Sequence, residues 1–340
     1  MKRARTYIVN SRTRLKSRWI LAWLVCLILV LGGVLAAMAG GHSGFPLVVT
    51  ALAFFTSVAP YSALVTTSFI RDIRLAFLKS PYLIWAFPAA FVTSYGFYAA
   101  GTNSYSTDAA LRLALFVGVP TTLTLIARRQ IGVTWLDAMA VAAIWIPFDL
   151  GGLASIWSWP AGEGAYVINT AIAIVLAAVC FIGLRRFPRV NLRFSLNVRE
   201  IAVVVASLSG FMMIAIPFGF KTDFIGWHVK EIDVKTLIAT PLGILFFIAI
   251  PEEFLFRGLV QNMLSMVLKS EVKSLIFASL FFGMTHLNNE PIMDWRYVTL
   301  ATVAGLFYGH TYNKCRSIVA PALVHTMVDT LWVLLFLKPH

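Results

Sequence analysis

Apolar runs long enough to cross a bilayer recur about every 25 to 35 residues, and no other feature restricts the fold of this chain as strongly. They lie near 19–40, 45–68, 81–100, 109–127, 138–157, 165–184, 200–220, 236–268, 274–288, 297–313 and 318–337. A hydrocarbon core of about 30 Å needs about 20 apolar helical residues. In lipid only helices and closed barrels satisfy their own backbone. The fold read from the sequence is therefore all-α, a polytopic transmembrane helix bundle with about 11 membrane-spanning helices. Composition closes the other routes. Hydrophobic residues make up 59% of the 340 and charged residues only 13%, against about 25% charged in soluble domains. That leaves too little polar surface for a soluble globule. The 26 Phe, 10 Trp and 10 Tyr bury too well for a disordered chain.

The net charge of +13 would suggest nucleic acid in a soluble protein. Its distribution gives another explanation. With eleven crossings and the N-terminus inside, the inside segments hold 21 of the 28 Lys and Arg, and the outside segments hold five. Cytoplasmic loops carry such an excess, so no nucleic-acid partner is expected. The expected location is a multi-pass plasma (inner) membrane protein with a cytoplasmic N-terminus. The basic stretch Lys2 to Arg18 before an apolar run, with Ala37-Met38-Ala39 behind it, has the outline of a signal peptide. The run of about 21 residues exceeds the 7 to 15 of a signal sequence, and the expectation is a retained anchor. Cys26, Cys180 and Cys315 lie far apart and suggest neither a disulfide framework nor a metal site; they read as small core residues.

Segment 236–268 is too long for one crossing. Its 33 residues would span roughly 50 Å as a helix. It should either kink at Pro251 or project beyond the membrane. It also carries the densest intramembrane charge. Ionisable side chains in lipid are costly and mark functional candidates, and the last third of the chain concentrates them in three places.

The first is Pro251-Glu252-Glu253-Phe254-Leu255-Phe256-Arg257-Gly258. Glu253 and Arg257 are one helical turn apart and can form an ion pair. Glu252 is rotated about 100° from that face, which leaves it free to take a proton from water. The plainer reading makes both acids structural. The second is Phe282-Gly283-Met284-Thr285-His286, with Phe282 and His286 on one face; the alternative for this histidine is hydrogen-bonded packing. The third is His325-Thr326-Met327-Val328-Asp329. His325 and Asp329 point the same way. They are either a pair that holds helix register, an oxyanion stabiliser or a pair of metal ligands. Polar groups on three lipid-embedded helices must converge to be satisfied, and convergence would make a cavity.

This ordered set resembles the CPBP family, which includes type 2 CAAX prenyl proteases, bacteriocin-processing and immunity proteins, and glutamic intramembrane endopeptidases. The resemblance covers residues 236–337. It extends to Gly305-Leu306-Phe307-Tyr308-Gly309, Arg316-Ser317 and Pro321-Ala322, where Gly305 and Gly309 form a small-xxx-small pair suited to close packing. It implies an intramembrane endopeptidase acting on a peptide or membrane-protein substrate within the lipid bilayer. Glu252 would activate water, His286 would assist by hydrogen bonding, and His325 and Asp329 would face the developing oxyanion. Glu253 and Arg257 would support the architecture, with Phe282 beside them. Asn is common in the family where Asp329 stands. An ionised Asp cannot donate to an oxyanion, so Asp329 would be protonated or would orient His325. Glu252, His286, His325 and Asp329 are also competent zinc ligands. The spacing does not match the HExxH zinc signature, and the expectation is a site with no cofactor. The alternative functions are a non-enzymatic scaffold or immunity protein that keeps the fold, or a zinc-dependent version of the protease.

Other intramembrane groups read as structural. Ser207-Leu208-Ser209-Gly210 faintly resembles a rhomboid-type serine motif, but Ser-Gly in a membrane helix is usually packing. Asp149, beside Pro147 and Gly151-Gly152, is expected to pair with Arg112. A proton path through Asp149 and the Glu/His cluster would make the chain a transporter, although no inverted repeat is evident. His310 is a neighbour to the cluster. His42, His228 and His340 fall in loops or at the terminus. Asn288 and Asn289 should end the helix of His286. Two parts are expected: residues 1–199, helices of unknown role, and 200–340, a CPBP-like core. Counting inward from the basic loops puts the site on the cytoplasmic half of the membrane.

Overall fold

The computed structural model describes residues 2–64, 66–159, 163–227, 233–289 and 293–337, so His228 and His340 lie outside the described residues. Helices dominate it, and the chain divides into two compact units, Met1–Phe187 and Pro188–His340.

The first unit contains α1 (Lys2–Ala39), α2 (Gly44–Ala63), α3 (Thr67–Lys79), α4 (Ala86–Gly101), α5 (Thr107–Ala127), α6 (Trp135–Asp149) and α7 (Glu163–Ala177). A turn of 3₁₀ helix, Pro81–Trp85, leads into α4, and wider i→i+5 turns, Ala178–Leu184, extend α7. The residues of that extension are all buried, which makes it the centre of the unit. At its end the buried Arg185 side chain pairs with Asp137 at 2.7 Å. It also donates to the carbonyls of Ala127, Gln130 and Gly132, taking up acceptors left open at the end of α5. Asp137 in turn closes a capping box with Thr134 at the start of α6. Arg112 meets Asp108 at 2.8 Å, one turn earlier on the same helix, and it also donates to the Gly152 carbonyl at 3.3 Å, in the turn that follows Asp149. Cys26 and Cys180 in this unit, and Cys315 in the second, are free and buried.

The second unit contains α8 (Val198–Lys221), β1 (Gly226–Trp227), α9 (Val234–Leu268), α10 (Glu271–Met284), α11 (Trp295–Cys315), α12 (Val319–Leu335) and β2 (Phe336–Leu337). The two short strands pair antiparallel, Gly226 with Leu337 and Trp227 with Phe336. The 35 residues of α9 do not break at Pro251. Proline lacks an N–H and its ring presses on the carbonyl four residues back. Here i→i+5 turns over Leu245–Ala249 widen the helix before it, and a second such stretch, Phe254–Gln261, follows. Backbone angles at Ala249 and Ile250 stay helical, so the chain passes through the proline as one helix. Wide turns of this kind are frequent at functional sites.

α11 packs along α10, α8 and α12. Small residues set the closest approach. A Cβ on Gly283 would overlap the Thr302 hydroxyl and lie 2.9 Å from the Val298 carbonyl, while one on Gly305 would lie 3.0 Å from Ser279. Gly283→Ala is therefore expected to force α10 from α11 and to cost about 1–3 kcal/mol, the usual range for overpacking. A thermal melt of the detergent-solubilised protein checks this; an unchanged melting temperature would contradict it.

Seven segments are long and apolar enough to cross a membrane, among the described residues: Ala22–Ala39, Gly44–Ala63, Pro81–Gly101, Thr107–Ala127, Gly164–Leu184, Val198–Lys221 and Val234–Leu268. They match seven of the eleven runs read from sequence. The other four are helical but differ in kind. α6 ends at Asp149 and α10 at Met284, α12 has 17 residues, and α11 is richer in polar residues. The protein is thus an integral membrane protein of the helical-bundle type.

Candidate active site

Three helices of the second unit bring the expected side chains together. Glu252 and Glu253 sit in α9 between its two wide stretches. Phe282 is near the end of α10, and His325 and Asp329 lie one turn apart in α12. His286 is not within α10. The helix stops at Met284 and tightens into a 3₁₀ turn, Thr285–Asn288, so termination comes before Asn288. The turn still sets the His286 ring edge-on against Phe282, with ring centres 4.9 Å apart.

The two glutamates have different surroundings. Glu253 is fully buried. One oxygen meets Arg257 Nε at 3.1 Å, and the other lies 3.0 Å from His325 Nδ1. Glu252 is 34% exposed, with Oε2 3.8 Å from His325 Nε2. Asp329 Oδ2, on a side chain 35% exposed, lies 3.3 Å from the same nitrogen. Glu253 therefore orients the imidazole, and its far nitrogen faces the two accessible carboxylates. Both of those distances exceed a good N–H···O bond of 2.7–3.2 Å. His286 Nδ1 lies 2.9 Å from the Phe282 carbonyl. A bond there makes Nδ1 the donor and leaves Nε2 with its lone pair.

Aromatic rings fix these groups. Phe282 is buried with the Arg257 guanidinium 4.5 Å above its ring, and it also meets His325 at 5.9 Å. Tyr308 stacks on His325 at 4.9 Å and 16° and lies under Arg257 at 5.3 Å. Tyr297 meets His286 at 5.0 Å. Sequence reasoning gave neither tyrosine a role. Tyr308 lies on the buried stripe Leu300, Ala301, Ala304, Gly305, Tyr308, Tyr312, and that helical period is the signal that could have placed it against the site.

Below the glutamates a polar column continues along α9. Arg257 donates to the Gly305 carbonyl at 3.2 Å, and Gln261 to the Gly309 carbonyl at 3.3 Å and Asn313 at 3.0 Å. His310 does not join the cluster. It is exposed and borders a groove of about 520 Å³ with Ser207 and Phe307. Ser207 accepts a hydrogen bond from Thr311 at 2.8 Å, which is packing. Among the described residues no group of three or more His, Cys, Asp or Glu is spaced to hold a metal ion.

The family model described as type II CAAX prenyl endopeptidase, Rce1-like, matches residues 234–331, from the start of α9 into the last turn and a half of α12. That stretch contains every residue of the cluster, and over it the last third of the chain is similar to the endopeptidase domain of the CPBP/CAAX protease family. Comparison with curated proteins gave no match, and comparison with solved structures gave none either.

Proposed function

We propose that the protein hydrolyses a peptide bond inside the membrane with a water activated by Glu252. The observation that carries this reading is the division of labour between adjacent acids. Glu253 is buried and doubly engaged, while Glu252 is partly open and faces an imidazole that Glu253 holds in place. A general base must be reachable by water and unencumbered by a strong ion pair.

The water lies between the Glu252 carboxylate and the free nitrogen of His286. Glu252 takes one proton, His286 Nε2 accepts a hydrogen bond from the other, and the oxygen attacks the scissile carbonyl carbon. The carbonyl oxygen becomes an oxyanion and receives a hydrogen bond from His325 Nε2, whose contacts to Asp329 and Glu252 are loose enough to yield. Asp329 orients that nitrogen and need not donate. Glu252 then passes its proton to the leaving amine as the C–N bond breaks, which restores the carboxylate. Each step uses groups aimed where charge develops. The substrate is a peptide or a membrane protein, delivered through the bilayer.

Comparative proteomics of polypeptide termini tests the reading. Membranes with the wild-type chain should contain a set of new termini that is missing when Glu252→Gln replaces it at equal abundance. Identical termini in both would reject hydrolysis and favour a scaffold that keeps the fold.

A further inference from the structure

The second unit has two chemically different ends. At one end the tip of α11 meets the start of α10 through Arg316 and Glu271, Arg189 meets the same glutamate, and Arg193 pairs with Glu200 at the start of α8. Ser317 there donates to the Arg193 carbonyl at 2.8 Å. This end carries Arg189, Arg193, Arg199, Lys269, Lys273, Lys314 and Arg316 against two acids, Glu200 and Glu271. At the other end Arg296 donates to the Thr222 and Asp223 carbonyls, and the strands join the chain after α8 to the end of α12. Among the described residues this second end has Lys221, Lys235 and Arg296 balanced by Asp223, Asp233 and Asp294. Outside the helices, Arg296 holds the Asp294 carboxyl below its ordinary range by hydrogen bonding. Basic excess marks the cytoplasmic face of a membrane protein, and it lies wholly at the first end.

The reactive groups are accessible toward the second end. Along α9, side-chain exposure falls from 34% at Glu252 to 0% at Glu253 and 1% at Arg257. Gln261 and Asn262 are 2% exposed as whole residues. Tyr308 and Tyr312 of α11 are buried to the same degree, so the basic end is sealed beneath the glutamates. His286 lies in the turn beyond α10, at the second end, against Tyr297 of the third helical position in α11. Asp329 is six residues from the end of α12, about 9 Å at 1.5 Å per residue, and ten from its start, about 15 Å. Counting inward from the basic loops places the site on the basic side; His325, six residues from the start of α12, fits that count, whereas His286, in the turn past the end of α10, does not.

We propose that the cavity opens on the membrane face opposite the basic loops, and that its substrate is an extracytoplasmic stretch of polypeptide with apolar side chains beside the bond to be cut. The apolar preference follows from the walls at that end, where Tyr297 and Trp332 stack at 6.4 Å and Phe224 meets them at 5.7 and 5.2 Å. A peptide end in the cytoplasm would have to pass the Arg257 and Gln261 plug. The substrate assignment rests on the hydrolase reading, whereas the side of opening does not.

Single cysteines in the full chain, with Cys26, Cys180 and Cys315 replaced by Ala, separate the two. A membrane-impermeant maleimide is applied to sealed right-side-out and inverted vesicles. Asn289→Cys, in the exposed turn after His286, and Asp329→Cys, within the cavity, should label in right-side-out vesicles. Lys273→Cys should label only in inverted ones. Labelling of Asn289→Cys or Asp329→Cys from the cytoplasmic face alone, or only after detergent is added, overturns the proposal. Outer labelling together with full cleavage by Glu252→Gln would leave the access route standing and remove water activation by Glu252.

Discussion

Glu252→Gln is expected to lower turnover by about 10³-fold, within the 10²–10⁴ that general-base catalysis contributes, with little change in substrate affinity or thermal stability. The amide is nearly the same size as the carboxylate but cannot accept the proton from water. Because Glu252 is partly exposed and its nearest charged contact is 3.8 Å away, the substitution breaks no tight ion pair. Glu253→Gln should behave differently. Its carboxylate holds both Arg257 and His325 at about 3 Å in a fully buried setting. Removing it should lower stability first and turnover as a consequence, through a misdirected imidazole. Parallel measurement of turnover, Michaelis constant and melting temperature for the two variants distinguishes them. If Glu252→Gln cleaves at the wild-type rate, or if the two variants show the same profile, water activation by residue 252 is wrong.

The pairs that drive this argument were readable within single helices. Glu253 with Arg257 and His325 with Asp329 follow from a four-residue spacing, which places side chains on one face whatever the rest of the chain does. Phe282 with His286 also held, although by a 3₁₀ turn and not by a continuous helix. Contacts between helices were not readable. The bridge from Glu253 to His325 joins residues 72 apart, and nothing local signals it. The same holds for Tyr308 on His325, since an aromatic ring on a buried stripe resembles any core residue. A kink at Pro251 and a helix that projects beyond the membrane both stayed open, because a single chain does not reveal that i→i+5 turns widen the helix before the proline. The seven long apolar helices were evident from hydropathy alone. α11 was less so, since its polar and glycine residues serve packing and the site instead of lipid contact.

The Glu253–Arg257 pair should show the second large effect. Arg257→Met leaves a carboxylate in a site with no exposure, and Glu253→Gln leaves a guanidinium there. Removing one partner of a buried ion pair costs about 3–5 kcal/mol, because the remaining charge stays uncompensated. The Arg257 side chain also loses its bond to the Gly305 carbonyl and its position above Phe282. The double variant Glu253→Gln/Arg257→Met removes both charges, so its cost should be well below the sum of the single costs, with a coupling of about 1–3 kcal/mol, as neighbouring sites show. Melting of all four proteins in one detergent measures the cycle. Additive losses would mean that the pair is not coupled and that each residue is held by its other contacts. Stability recovered in the double variant should not bring back cleavage. Glu253 also orients His325 through Nδ1, and a glutamine that no longer pairs with Arg257 is free to turn away from the ring. Restored folding with a persistent loss of turnover would therefore separate the architectural part of this pair from its part in positioning the imidazole.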